Sequence, residues 1–306
     1  MLELLIINMI PLYILIAMGY IGGKKLNVNT PSMASIAIFL LAPVVNFGAA
    51  AQIDFKPEYI YLPFIMFFVS AVIAFSSCKI ASFIWKDSTA NLVGMSMGTG
   101  NNIYFGLPII MALFGSDIAG IYLFIILGTA ISQVSVCYYI GARGNSSIKQ
   151  SFMKVVKFPI VHAMLLGFLV NYLSIPLPEI FNDWYDKFTG AWIIIGMMLI
   201  GVAIAKTEDL RLDFKLLAVM FFIKFVIWPL AMIAVIFIDK IFFNLFNEQI
   251  YVMLIVLGVV PIMGNAVAFA EQLKIQSGKA AMVVLLSTIF ALLFIPTIFT
   301  VMGIKI

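Results

Sequence analysis

Three asparagines stand where an apolar chain has little reason to place amides. Asn101 and Asn102 fall in "GTGNNIYFGLP", residues 98–108, and Asn265 falls in "PIMGNAVAFAEQL", residues 261–273. Each amide offers a carbonyl oxygen suited to a hard cation such as sodium, and N–H donors suited to a carboxylate. Both stretches also carry glycine and proline, with Pro108 in the first and Pro261 in the second. Irregular backbone at membrane depth is tolerated only where it is buried in protein or lines a cavity. Helices broken there present free N–H groups that attract anions and free C=O groups that attract cations.

Two charged residues join these amides. Lys224, in "FFIKFVIWP", lies about nine residues past Lys215. At about 1.5 Å per residue this is near the centre of a bilayer, beyond easy snorkelling. Its ammonium needs a partner, and a substrate carboxylate or a mobile carboxylate such as Glu271 would serve. Glu271 is the one acid in its apolar run. It reads either as a cation ligand or proton carrier, or as an interfacial glutamate solvated at a helix end. Asn46 follows "APVV", where an amide can bond across helices or touch substrate. His162, the sole histidine, reads first as a packing residue.

The elements that position these residues are membrane helices. Of 306 residues, 64% are hydrophobic and only 10% charged, against about a quarter charged in a soluble chain. Ten apolar runs read as spans over 2–23, 31–51, 58–84, 89–114, 117–141, 155–175, 187–205, 214–238, 249–272 and 279–302. The first run lacks a basic leader and ends on Lys24 and Lys25, which suits a retained helix. The connections are short, so no extramembrane domain is expected. Cys78 and Cys137 have no metal or redox spacing.

Alternate connections differ in charge. Lys24, Lys25, Lys86, Arg143, Lys149, Lys154, Lys157, Lys206, Arg211, Lys215, Lys274 and Lys279 fall on one side, with Lys79 near its helix end. The other side has Lys56, Lys187, Lys240 and Lys305 among Asp54, Glu58, Glu179, Asp183, Asp186 and Glu248. The positive-inside rule makes the first side cytoplasmic and puts both termini outside, in a multi-pass cell-membrane protein.

The halves also echo one another. "PLYILIAMG" (Pro11–Gly19) and "PIVHAMLLG" (Pro159–Gly167) share a proline-to-glycine spacing. Five spans per half invert the second copy, giving repeats over 1–145 and 146–306 integrated in one membrane unit. This is the plan of many secondary transporters. The expected fold is therefore all-α, with ten transmembrane helices in two inverted five-helix repeats and broken helices four and nine crossing at the midplane.

These residues carry a family resemblance. "NNIYFGLPI" resembles the Asn…Gly-x-Pro element of the auxin efflux carrier family. "PIMGNAVAFAEQL" with "AAMVVLLSTIFALLFIPTIF", including Thr288 and Pro296, is similar to that family's last two helices. The resemblance implies a panel and a bundle domain, helices crossing at Pro108 and Pro261, carriage of organic anions and a homodimer. The connection at residues 143–154 is short, unlike the long loop of plant auxin exporters. That favours a microbial-type carrier, in the plasma (inner) membrane, of small carboxylates such as malate or malonate.

A more distant similarity links "TGNN" (Thr99–Asn102) and Glu271 to sodium elements of the bile acid:sodium symporter family. It implies sodium as coupling ion at Asn101, Asn102 and Glu271, completed by Thr129, Ser132 or Gln133. The glutamine following Glu271 does not keep that family's spacing. The candidate substrate set is Asn46, Asn102, Pro108, Lys224, Pro261 and Asn265. The alternatives are a proton-coupled or uncoupled carrier of auxin-like amphipathic carboxylates, and a non-transporting receptor. No enzyme signature, cofactor motif or nucleic-acid signature is present.

Overall fold

The computed structural model describes residues 2–53, 59–206 and 213–303, with side chains from residue 10 onward and excluding 116–119. Asp54, Lys56, Glu58, Arg211 and Lys305, which enter the charge argument above, lie outside the described residues. The described chain is helical, and its one β-contact is an isolated antiparallel bridge between Gly100 and Ile262.

In chain order the helices are α1 (Leu2–Lys25), α2 (Thr30–Ala51), α3 (Tyr61–Ile84), α4 (Thr89–Met97) and α5 (Asn102–Phe114). Helix α6 runs from Ser116 to Ala142, and α7 (Ile148–Val156) precedes α8 (Pro159–Tyr172). Then come α9 (Glu179–Lys206), α10 (Phe214–Phe243), α11 (Glu248–Val259), α12 (Asn265–Leu273) and α13 (Ser277–Val301). Among the described residues six helices are long and apolar enough to cross a membrane, and the bent pair α7–α8, at 45°, makes a seventh if taken as one span. Apolar length explains the helices, because in lipid a helix satisfies its own backbone.

Side-chain caps set several starts. Asn29 accepts from Ser32 N, Asp213 from Leu216 N and Asn247 from Ile250 N. Ser147 and Gln150 form a reciprocal capping box at the head of α7. This short helix stands where the sequence reading has a connection. Its Ile148, Phe152 and Val156 are exposed, beside Lys149, Lys154 and Lys157. That pattern suits a helix lying at a membrane surface.

Three π-turns end two residues before a proline: Ile36–Leu41 before Pro43, Asn102–Gly106 before Pro108, and Ile223–Ile227 before Pro229. Proline lacks an N–H and its ring crowds the carbonyl four residues back, so a widened turn carries the helix past it. Pro108 accordingly sits in the second position of the α-helical part of α5. The expectation of a crossing at Pro108 is corrected: the break lies at Gly98–Asn101, where α4 has ended and Asn101 caps α5, and the contact with the other break is at Gly100. The other break, over Val260–Gly264, does contain Pro261.

Two sets of pairings organise the molecule. Helix α1 packs along α9, and α2 along α8. Helix α3 packs on α4 and α6, while α10 packs on α11. The buried core runs through the broken helices: every side chain from Met253 to Leu257 and from Ala266 to Ala270 is buried.

Candidate functional site

The breaks in α4–α5 and α11–α12 meet each other. Asn101 N donates to Pro261 O at 2.8 Å, beside the Gly100–Ile262 bridge. Ile262 N donates to Ser287 Oγ on α13 at 3.2 Å, so the crossing is held from a third helix. Trp228 Nε1 on α10 donates to Met97 O at 2.7 Å, meeting a carbonyl that the end of α4 leaves free.

Glycine is required at position 100. A Cβ there would fall 2.6 Å from Val260 Cγ2, 2.8 Å from Lys224 Nζ and 3.2 Å from Pro261 O. The same figures place the Lys224 amine at the crossing.

A cavity of about 420 Å3 opens beside it. Residues Gly100–Asn102 and Met263–Asn265 line it from the crossing, Asn46 from α2, Thr129 and Gln133 from α6, and Tyr185, Thr189 and Trp192 from α9. Among the described residues no lining side chain is formally charged. The helical segments that begin at Asn102 and Asn265 both start at this wall. The first N–H groups of a helix have no partner within it, and two such ends on one cavity make an anion-attracting corner.

The amides are held in place. Asn101 Oδ1 accepts from Tyr104 N at 3.3 Å. Asn102 Nδ2 donates to Thr99 Oγ1 at 3.2 Å and to Thr129 Oγ1 at 3.0 Å. Thr129 Oγ1 in turn donates to Ile126 O at 2.7 Å, so its lone pair is what receives Asn102. Asn102 Oδ1 is buried without a hydrogen-bond partner. Asn46 Nδ2 donates to Ala42 O, one turn back on its own helix.

The structure thus brings together Asn46, Asn101, Asn102, Thr129, Gln133 and Asn265. It does not bring in four others. Pro108 lies in α5 and Pro261 in the crossing itself, and neither lines the cavity. Lys224 is fully buried against the crossing and also off the cavity wall. Glu271 lines a different cavity, of about 820 Å3, together with Lys206, Asp213, Lys274 and Lys279. Six residues of α-helix separate Glu271 from Asn265, about 9 Å along the axis, which carries it out of reach of the amide cluster. Ser132 is engaged elsewhere, its Oγ accepting from Ser70 Oγ at 2.7 Å. His162 Nδ1 lies 3.2 Å from Phe158 O, one turn back, as a packing residue would.

The α9 wall is absent from the residues singled out by sequence. Its signal was a stripe, since Tyr185, Thr189, Trp192 and Gly196 recur at four, three and four residues along one helix face and all line the cavity. The asparagines stood out because amides are costly in lipid; an aromatic stripe in an apolar helix does not stand out in that way.

No curated protein matches the chain. A family model described as "Membrane transport protein" matches residues 145–299, half of the sequence. The matched segment contains α7 to α12 and nearly all of α13, and so the second of the two breaks with its proline and asparagine. With the family matched across that length, the chain belongs to the membrane transport protein family, that of the auxin efflux carriers.

Proposed function

We propose that this chain is an alternating-access carrier of small organic anions, built from ten spans in two inverted five-helix repeats. The observation that carries the substrate class is the meeting of two helix starts and four asparagines on one cavity with no charged side chain among its described lining residues. A carboxylate there receives N–H donors and meets no fixed negative charge. Beyond the amides, Thr129, Thr189, the tyrosine hydroxyls and a few backbone groups, the wall is aliphatic or aromatic. One carboxylate on an apolar body suits it better than two carboxylates, which favours the amphipathic class over malate-like dicarboxylates.

Paired contacts support the inverted repeat. A Cβ on Gly19 of α1 would meet Met198 O of α9 at 2.0 Å, and one on Gly167 of α8 would meet Phe47 O of α2 at 2.4 Å. These glycines close the two echoed segments, and counting α4–α5 and α11–α12 as single spans makes the contacts first-with-seventh and sixth-with-second. The pairing of α3 with α4 matches that of α10 with α11 in the same way. In this reading α1, α2, α8 and α9 form the panel and the remaining spans the bundle.

A thermal-shift screen of purified protein tests the substrate class, because a ligand that binds the native state stabilises it by mass action. Aromatic and branched monocarboxylates should raise the melting temperature, with dicarboxylates weaker and the matching neutral amides inert. Equal shifts from acid and amide would remove the anion site. Counterflow of the best ligand in liposomes then separates a carrier from a channel or a receptor.

A further inference from the structure

We infer that Lys224 is a tethered cation, its amine held at the place by the crossing where a coupling ion would otherwise sit, so that transport by this chain proceeds without sodium. The inference rests on the carrier reading above. It begins from the poor fit of the proposed sodium ligands. Asn101 Oδ1 is taken by Tyr104 N, and Thr129 Oγ1 both accepts from Asn102 and donates to Ile126 O. Glu271 lines the other cavity. That leaves Gln133 and the orphaned Asn102 Oδ1, two side-chain oxygens where a hard cation takes about six.

The crossing is nevertheless a place for positive charge. Helix α4 ends at Met97 and α11 at Val259, and the last carbonyls of each point toward the break without partners inside their helices. Two negative helix ends meeting there attract a cation. Lys224 supplies one from α10. Its side chain is 0% exposed, and its Nζ has no hydrogen-bond partner among the described residues. It stands 4.6 Å over the ring of Trp228, whose indole is fixed by its bond to Met97 O.

Among the described residues no acid competes for it from the packed elements. Helix α4 carries no charged residue. On α11, Glu248 pairs with Lys240 at 3.5 Å and Tyr251 bonds Asp239, both at the far end of that helix. On α13, Lys279 pairs with Asp213 at 3.6 Å. Gly100 lines the substrate cavity and also abuts the amine. The charge of Lys224 therefore reaches a bound carboxylate through a single backbone layer, as a positioning group and not as a direct ligand.

The experiment compares wild type with Lys224→Ala, Lys224→Met and Lys224→Arg in liposomes and in detergent. Wild type should bind and transport the carboxylate equally in sodium and in N-methylglucamine buffers. Lys224→Met, which keeps volume without charge, should lose substrate-induced stabilisation. Lys224→Ala should regain it with butylammonium chloride and not with butanol. In the ligand-free protein, butylammonium should raise the melting temperature of Lys224→Ala by a few degrees and leave wild type unmoved. That arm uses no substrate, so it stands even if the carboxylate reading fails. Sodium dependence in wild type, wild-type transport by Lys224→Met, or equal rescue by butanol would each overturn the inference.

Discussion

At the scale of the residue, the crossing depends on having nothing at one position. Gly100 is met by Val260, by the Lys224 amine and by the Pro261 carbonyl, all within 3.2 Å of where a methyl would go. The Val260 side chain and a carbonyl cannot swing away as a flexible chain end can. Gly100→Ala should therefore cost on the order of 1–3 kcal/mol, the usual range for overpacking, and should abolish carboxylate-induced stabilisation. Gly190→Ala on α9, where a Cβ meets open space, should do neither. Melting curves of both variants with and without ligand decide it, and matching curves would show that the crossing is not tight. The sequence pointed at the right stretch and the wrong residue in it. Proline drew attention at 108, but a π-turn absorbs it, whereas Gly98, Gly100 and the capping Asn101 do end the helix. Glu271 entered the cation set through a family resemblance, which says nothing about which cavity its side chain faces; it lines the larger one.

At the scale of the element, the question is what separates the two cavities. Tyr138 on α6 stacks on Phe158, which precedes α8, with ring centroids 4.0 Å apart and planes 7° from parallel. Phe269 of α12 meets both rings edge-on, at 5.4 and 5.8 Å. Tyr138 OH donates to Gln272 Oε1 at 2.9 Å. Phe269 lines the 420 Å3 cavity, and Glu271, next to Gln272, lines the other. This cluster stands between them, joining α6 and α12 to the start of α8. Tyr138→Phe keeps the stacking and removes one hydrogen bond, worth about 1 kcal/mol net, or roughly a fivefold change in population. A cysteine at Ala268, in a background without Cys78 and Cys137, should then react several-fold faster with a soluble maleimide added from the end that carries Lys274. An unchanged rate would place the barrier elsewhere. Helix α7 belongs to this scale as well. The sequence held its signal in Ser147, Gln150 and the four-residue spacing of Ile148, Phe152 and Val156, which the nearby lysines obscured.

At the scale of the whole molecule, span number and orientation come from different physics. Apolar length identified the long helices directly, while α4, α5, α11 and α12 are each too short to count alone, and the ten-span proposal joins them as pairs across their breaks. The stripe periodicity on α9 became meaningful only once a cavity gave it a centre. Orientation rests on charge, and the cavities sharpen it. The larger one is walled by Lys206, Lys274 and Lys279, and the smaller one reaches Gln52 and Tyr185 at the opposite helix ends. The positive-inside rule predicts that the lysine-walled cavity faces the cytoplasm, and the amide-lined cavity would then open outward. A cysteine at Gln52, exposed at the cavity edge, should then be labelled by an impermeant reagent applied to intact cells, and a bound carboxylate should slow that labelling. A cysteine at Lys149, exposed on α7, should react only after the cells are opened. The reverse pattern would invert the molecule in the membrane and make the amide-lined cavity the inner one. Labelling of both from outside would break the assignment of alternate connections to opposite faces, and with it the odd number of spans per half on which the inverted repeat depends.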